Sequence, residues 1–140
     1  MIVPSKSRAI FGIIALAWLL FQASGCRGAG GRPVFTNEWS FNGGTYINVV
    51  AKNDLVGVPK WRESAAPPLS PGRTAELAGA KLASIVRNVS GWTIANIVLE
   101  HVETEGTWLY VVKFATSEEG ASSVDIVVLL DGRVILPEKE

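Results

Sequence analysis

Beyond Gly91 the apolar residues recur at every second position in three successive stretches, "WTIANIVLEHVE", "TWLYVVKFATS" and "SVDIVVLLDGRVILP", separated by "TEG" and "SEEGASS". A period of two is that of a pleated strand with one face inside, and turns this short join antiparallel neighbours. In "TWLYVVKF" the side chains of Trp108, Tyr110, Val112 and Phe114 share one face, and Leu109, Val111 and Lys113 the other. "Leu130-Asp131-Gly132-Arg133" predicts a two-residue hairpin, because Asp-Gly tolerates the positive φ angles of a type I′ turn. That turn pairs Val128 with Ile135 and Leu129 with Val134. Such a sheet must bury its apolar face against another layer.

The layer is supplied upstream. Ala75, Ala78, Leu82, Ile85, Val86 and Val89 follow the three-and-four spacing of one helix face, while Glu76, Lys81, Arg87 and Asn88 fall elsewhere. Ser70 followed by Pro71 is a start signal: the hydroxyl caps free amides, and proline costs nothing in the first turn. The spacing predicts a helix to about Val89, with Gly91 as the left-handed stop. Before it, "VPKWRESAAPPLSPG" carries Pro59, Pro67, Pro68 and Pro71, so its backbone lacks donors and reads as an extended connection, with Trp61 as the residue that pins it to the core. A further strand is expected over about residues 45–52, where Tyr46 and Val50 alternate with their neighbours, ended by Asn53-Asp54.

These elements make an α+β domain: one amphipathic helix packed on a curved antiparallel sheet of four to five strands. One face remains unexplained. In the predicted register Val127, Leu129, Val134 and Leu136 lie opposite Ile126, Val128 and Ile135, so the terminal hairpin is apolar on both sides. Those four residues are the candidate partner-binding surface, unless the strand near Tyr46 or the Pro-rich connection covers them.

The N-terminus carries an address. Lys6 and Arg8 precede "AIFGIIALAWLLF", an uncharged block of the length of a secretory h-region, and small residues follow up to Cys26, the single cysteine of the chain. The block is short for a span, which needs roughly 20 apolar residues. With one cysteine no disulfide forms within the chain, and a free thiol in an oxidising compartment is a liability. "Ala23-Ser24-Gly25-Cys26" resembles the lipobox of bacterial lipoproteins, which implies a diacylglycerol thioether on Cys26 and a membrane-attached cell-envelope protein. Ala23 stands where that pattern favours leucine, so ordinary cleavage and secretion, or a soluble periplasmic product, is the competing expectation. The organisation expected is a signal peptide over 1–25, the lipid-attachment cysteine and a flexible Gly-rich tether over 26–40, and a single domain over 41–140.

The order "AELAGAKLASIV", "IANIVLEHV", "WLYVVKF", "VDIVVLLDGRVI" resembles the PepSY-type domains of envelope proteins, with a cystatin-like fold of one helix on an antiparallel sheet. Tyr110 stands where that family often has a strand tyrosine, and Asp131, Gly132 and Val134 resemble its closing turn, here shortened. Some members inhibit proteases or act as propeptides, so the resemblance implies a non-catalytic protein- or peptide-binding role.

The remaining chemistry is sparse. Without the first 25 residues the formal charge is about −2, so a basic footprint for nucleic acid is absent. His101 is the sole histidine, and without cysteine companions it makes no metal spacing; it reads as a strand-edge residue. Glu103 and Glu105 flank a turn, and Glu118-Glu119 reads as a solvated turn, but nothing resembles a calcium loop. No nucleophile elbow or phosphate loop occurs. No catalytic residue, metal or cofactor is expected. Two rival roles remain: a homodimeric structural envelope component, in which the apolar face or an edge strand pairs with its copy, and a small-ligand carrier or enzyme of NTF2-like architecture.

Overall fold

The structure is a computed structural model that describes residues 31–118 and 122–140. The signal segment and Cys26 lie outside the described residues. Strand β1 (Pro33–Phe41) turns at Asn42-Gly43 into β2 (Gly44–Ala51). Asn42 (φ 50°) and Gly43 (φ 71°) both adopt the left-handed region that a tight hairpin demands. β1 starts at Pro33, inside the stretch read above as tether, and its Trp39 is buried. After β2 a short 3-10 turn, Lys52–Leu55, is tied down by Asp54, whose Oδ2 accepts from the amide of Ala51 at 2.8 Å.

The Pro-rich connection carries no helix or strand, and Trp61 packs from it against the core. Helix α1 (Pro71–Leu82) starts where the sequence places it: Ser70 Oγ accepts from the Arg73 amide at 3.2 Å, and Pro71 takes the first turn. It stops seven residues short of the expected Val89. The next residues turn through Ser84, whose amide and hydroxyl both bond the carbonyl of Lys81. A serine that competes for helix carbonyls, followed by β-branched Ile85 and Val86, undercuts propagation. Ala78, Leu82 and Val86 are still buried, because the turn keeps Val86 on the core side, whereas Val89 is 48 % exposed. Gly91 (φ 81°) opens the next strand instead of ending the helix.

The period-two region forms β3 (Trp92–Val102), β4 (Thr107–Thr116), β5 (Ser123–Leu129) and the short β6 (Val134–Ile135), in that spatial order and antiparallel throughout. β7 (Glu138–Lys139) leaves this sheet and pairs with β2, so the molecule has a second sheet of order β1-β2-β7. The one helix therefore packs on an antiparallel sheet as expected, but the strands divide between two sheets instead of forming one.

Hydrogen bonds place the layers. Tyr110 Oη donates to the carbonyl of Leu69 at 2.9 Å, which puts the entry to α1 on the face shared by Tyr110, Val112 and Val128. Asn37 Nδ2 donates to Asp125 Oδ2 at 3.0 Å, which puts β1 on the opposite face, with Leu109 and Val127. Within the β1-β2 sheet Trp39 Nε1 donates to Asn48 Oδ1 at 2.8 Å, and across to β6 of the other sheet Asn48 Nδ2 donates to the carbonyl of Ile135 at 3.2 Å. Asn48 is fully buried and bonded through both ends of its amide, so it costs nothing in unpaired groups and fixes one sheet over the other. β5, covered from both sides, is buried from Val124 onward.

Candidate functional site

The four residues nominated from the terminal hairpin do not form a surface. Val127 and Leu129 have no exposed area, Val134 is half-buried, and Leu136 is 45 % exposed. Two causes combine. The β1-β2 sheet covers the face that a lone helix leaves bare. The hairpin also has three loop residues rather than two: the Leu129 amide donates to the Arg133 carbonyl at 2.9 Å, Gly132 (φ 89°) supplies the left-handed step, and Val127 pairs with Ile135 and Val128 with Val134. A one-residue slip moves a side chain to the opposite face, so Val134 joins Val128 and parts from Val127 and Leu129.

What the fold does leave open is the outer edge of β3. β3 is terminal in the four-stranded sheet, bonded only to β4, and among the described residues no strand pairs with its other side. Its eleven residues carry one formal charge, Glu100, and no Lys, Arg or Pro. Exposed edges are ordinarily blunted with just those residues, since a free row of N–H and C=O groups templates another strand. The single irregularity is a bulge at Ala95, after which Asn96 to Val102 pair regularly with β4. Ile94 and Val98 are 40 % and 39 % exposed, because α1 and the β1-β2 sheet both centre on β5 and leave the β3 side of each face partly bare.

At the far end of β3 lies a small aromatic shelf. His101 stacks on Trp108 at 4.6 Å between ring centroids, and Trp61 meets Trp108 in a T-shaped contact at 5.1 Å. Trp61 Nε1 donates to the Ala65 carbonyl, and Lys60 Nζ to the carbonyl of Glu105, so the Pro-rich connection is fastened against this end of the sheet. His101 is thus an exposed strand residue lying on an indole. Glu105 bears a 3.7 Å ion pair with Lys52, and Glu103 sits in the 3-10 turn Glu103–Glu105. No group of His, Cys, Asp and Glu able to hold a metal occurs among the described residues. Glu119 lies outside them.

No family model, curated protein or solved structure matches this chain.

Other polar features belong to the fold. Burial in the core raises the pKa of Tyr110 above the ordinary tyrosine value of 10.0. Asp125 Oδ1 and Thr107 Oγ1 are buried without a hydrogen-bond partner. Arg133 holds the 3-10 turn that follows β2 by donating to the carbonyls of Asp54 and Val56 while its Nε pairs with Asp131 at 2.7 Å. Asn88, in the sequence Asn-Val-Ser, accepts from the Ser90 amide and so shapes a tight turn before β3. Among the described residues no helix is long and apolar enough to cross a membrane.

The open edge was readable in part. "NIVLE" without a basic residue or proline marks a strand lacking the usual protection, but which strand ends the sheet is a property of topology.

Proposed function

We propose that this chain is an exported cell-envelope protein, held to a membrane by lipid on Cys26, whose α+β domain binds an extended polypeptide and carries no chemistry of its own. The observation that carries this reading is the long, nearly uncharged and unpaired edge of β3. Main-chain hydrogen bonds to such an edge supply affinity, and side chains alternating across it, Val98 among them, supply selectivity. The order of α1 followed by β3, β4, β5 and β6 supports kinship with PepSY-like, cystatin-like domains, and the β1-β2-β7 sheet lies outside that pattern. The address rests on "ASGC" and the apolar block before it.

Two measurements test the two halves. The intact mass of the mature protein is expected to carry a diacylglyceryl group on an N-terminal Cys26, and Cys26→Ala to release the protein from membranes. An unmodified cysteine in a full-length chain overturns the address. A photo-crosslinking amino acid at Val98, in native membranes, is expected to give adducts that map to one extended segment, with β3 amides protected from exchange. The same probe at exposed Glu63 gives none. Absence of adducts and of protection at β3 overturns the binding reading.

A further inference from the structure

We propose that the occupant of the β3 edge is a second copy of this chain, docked antiparallel about a two-fold axis at Val98. The proposal rests on the reading of β3 as a docking edge and adds the identity of the partner. The segment Asn96 to Glu100 runs polar, apolar, apolar, apolar, polar, and reads the same in both directions. Antiparallel pairing about Val98 sets Val98 against Val98, Ile97 against Leu99, and Asn96 against Glu100. The last pair brings an amide donor to a carboxylate on each side of the axis, and directly opposed side chains are the unit of sheet stabilisation. Opposed residues also share a face. Ile97 and Leu99 meet on the side of α1, where both are half-buried, and Val98 meets its copy on the other.

Neighbouring registers are worse. Moving the axis to Leu99 sets Glu100 against Val98, a carboxylate against an apolar side chain, and moving it to Ile97 sets Leu99 against Ala95, so that the ladder runs into the bulge. With the axis at Val98 the two Glu100 residues stand four positions apart along the ladder, about 14 Å at strand spacing, so the one formal charge of β3 does not repel its copy. Both covering layers centre on β5, and α1 packs less against β3 than against β4 or β5. The product is one continuous eight-stranded sheet made from two four-stranded ones.

The test is sedimentation velocity of the full chain in mild detergent, with micelles in large molar excess. The native chain is expected to show a monomer–dimer equilibrium. Val98→Lys and Val98→Glu each place like charges on the axis and weaken association roughly 100-fold, and an equimolar mixture of the two restores it. Asn96→Lys, at an exposed position, tightens the dimer roughly 10-fold by facing Glu100 twice, so the register is tested even if neither Val98 variant folds. A monomer up to about 100 µM, a dimer indifferent to Val98→Lys, a mixture that stays monomeric, or an Asn96→Lys chain that dimerises no better overturns the proposal. A monomeric chain whose Val98 probe still gives adducts with another polypeptide removes the second copy and leaves the binding reading standing. Loss of both adducts and dimer removes the two together.

Discussion

β5 and β3 belong to one sheet and are built from similar residues, yet they have opposite fates. β5, "SVDIVVL", is buried from Val124 to Leu129 because α1 covers one face, the β1-β2 sheet the other, and strands flank both edges. β3, "WTIANIVLEHV", buries only Val102 fully. The difference is position, not composition: two covering layers centred on one strand reach the strand two places away only in part, so that α1 touches β3 and Phe41 of β1 meets Trp92 at 5.6 Å while Ile97 and Leu99 stay half-buried. A hydrophobic sequence is therefore interior in one place and an open edge in another. Apolar surface burial is worth about 25 cal/mol per Å² wherever it occurs, so the surface left at β3 remains available to a partner.

Substituting the same residue type in both strands is the most direct way to break this comparison. Ile126→Ala, at a site with no exposed area, is expected to cost about 4 kcal/mol in urea unfolding. Ile94→Ala, at a site 40 % exposed, is expected to cost about 1 kcal/mol. Equal losses sink the distinction between interior and edge. The covering layer is probed next by Asn48→Ala, which leaves the buried Trp39 Nε1 and the Ile135 carbonyl unpaired and should cost about 2–3 kcal/mol. Adding Trp39→Phe removes the orphaned donor, so the double variant is expected to lose less than the two single losses combined. Strict additivity shows that the bond between Trp39 and Asn48 contributes nothing to stability.

Tyr110→Phe sharpens the helix side. Loss of the hydroxyl bond to Leu69 is expected to cost about 1 kcal/mol at neutral pH. Because the folded-state pKa of Tyr110 is raised by burial, the folded protein holds this proton more tightly than the unfolded chain. Its contribution is fully present below the unfolded value of 10.0 and is lost as pH rises through the folded one. The native protein should accordingly lose stability above pH 10 more steeply than Tyr110→Phe, as read from thermal melts across that range. Parallel pH profiles exclude Tyr110 as the cause. The smallest effect belongs to β3: Val98→Lys should change monomer stability by less than about 0.5 kcal/mol, since its side chain is 39 % exposed. A large loss there means the edge is structural.

Much of the fold was legible because it is written in local chemistry. Ser70-Pro71 marked the helix start, and alternation after Gly91 marked three strands within a residue or two. Where local signals competed, the reading slipped. Ile85 and Val89 fit the helical period, but Ser84 ends the helix by bonding Lys81. Asp131-Gly132 is compatible with a two- or a three-residue loop, and the choice moved Val134 to the other face. β1 was hidden because Asn37, on its inward face, is polar. Its partner Asp125 is eighty-eight residues away, so nothing nearby in the chain discloses why an amide belongs inside.

By itself the sequence determined the kinds of element and the point where periodicity changes from 3.6 to 2. These follow from steric and hydrogen-bonding preferences that act over a few residues. Only the tertiary structure decided that the strands form two sheets, that β5 is covered twice, and that β3 is left at an edge. Those outcomes depend on which distant surfaces meet, and a period of two is the same whether a strand's outer side finds a neighbour, water or another chain.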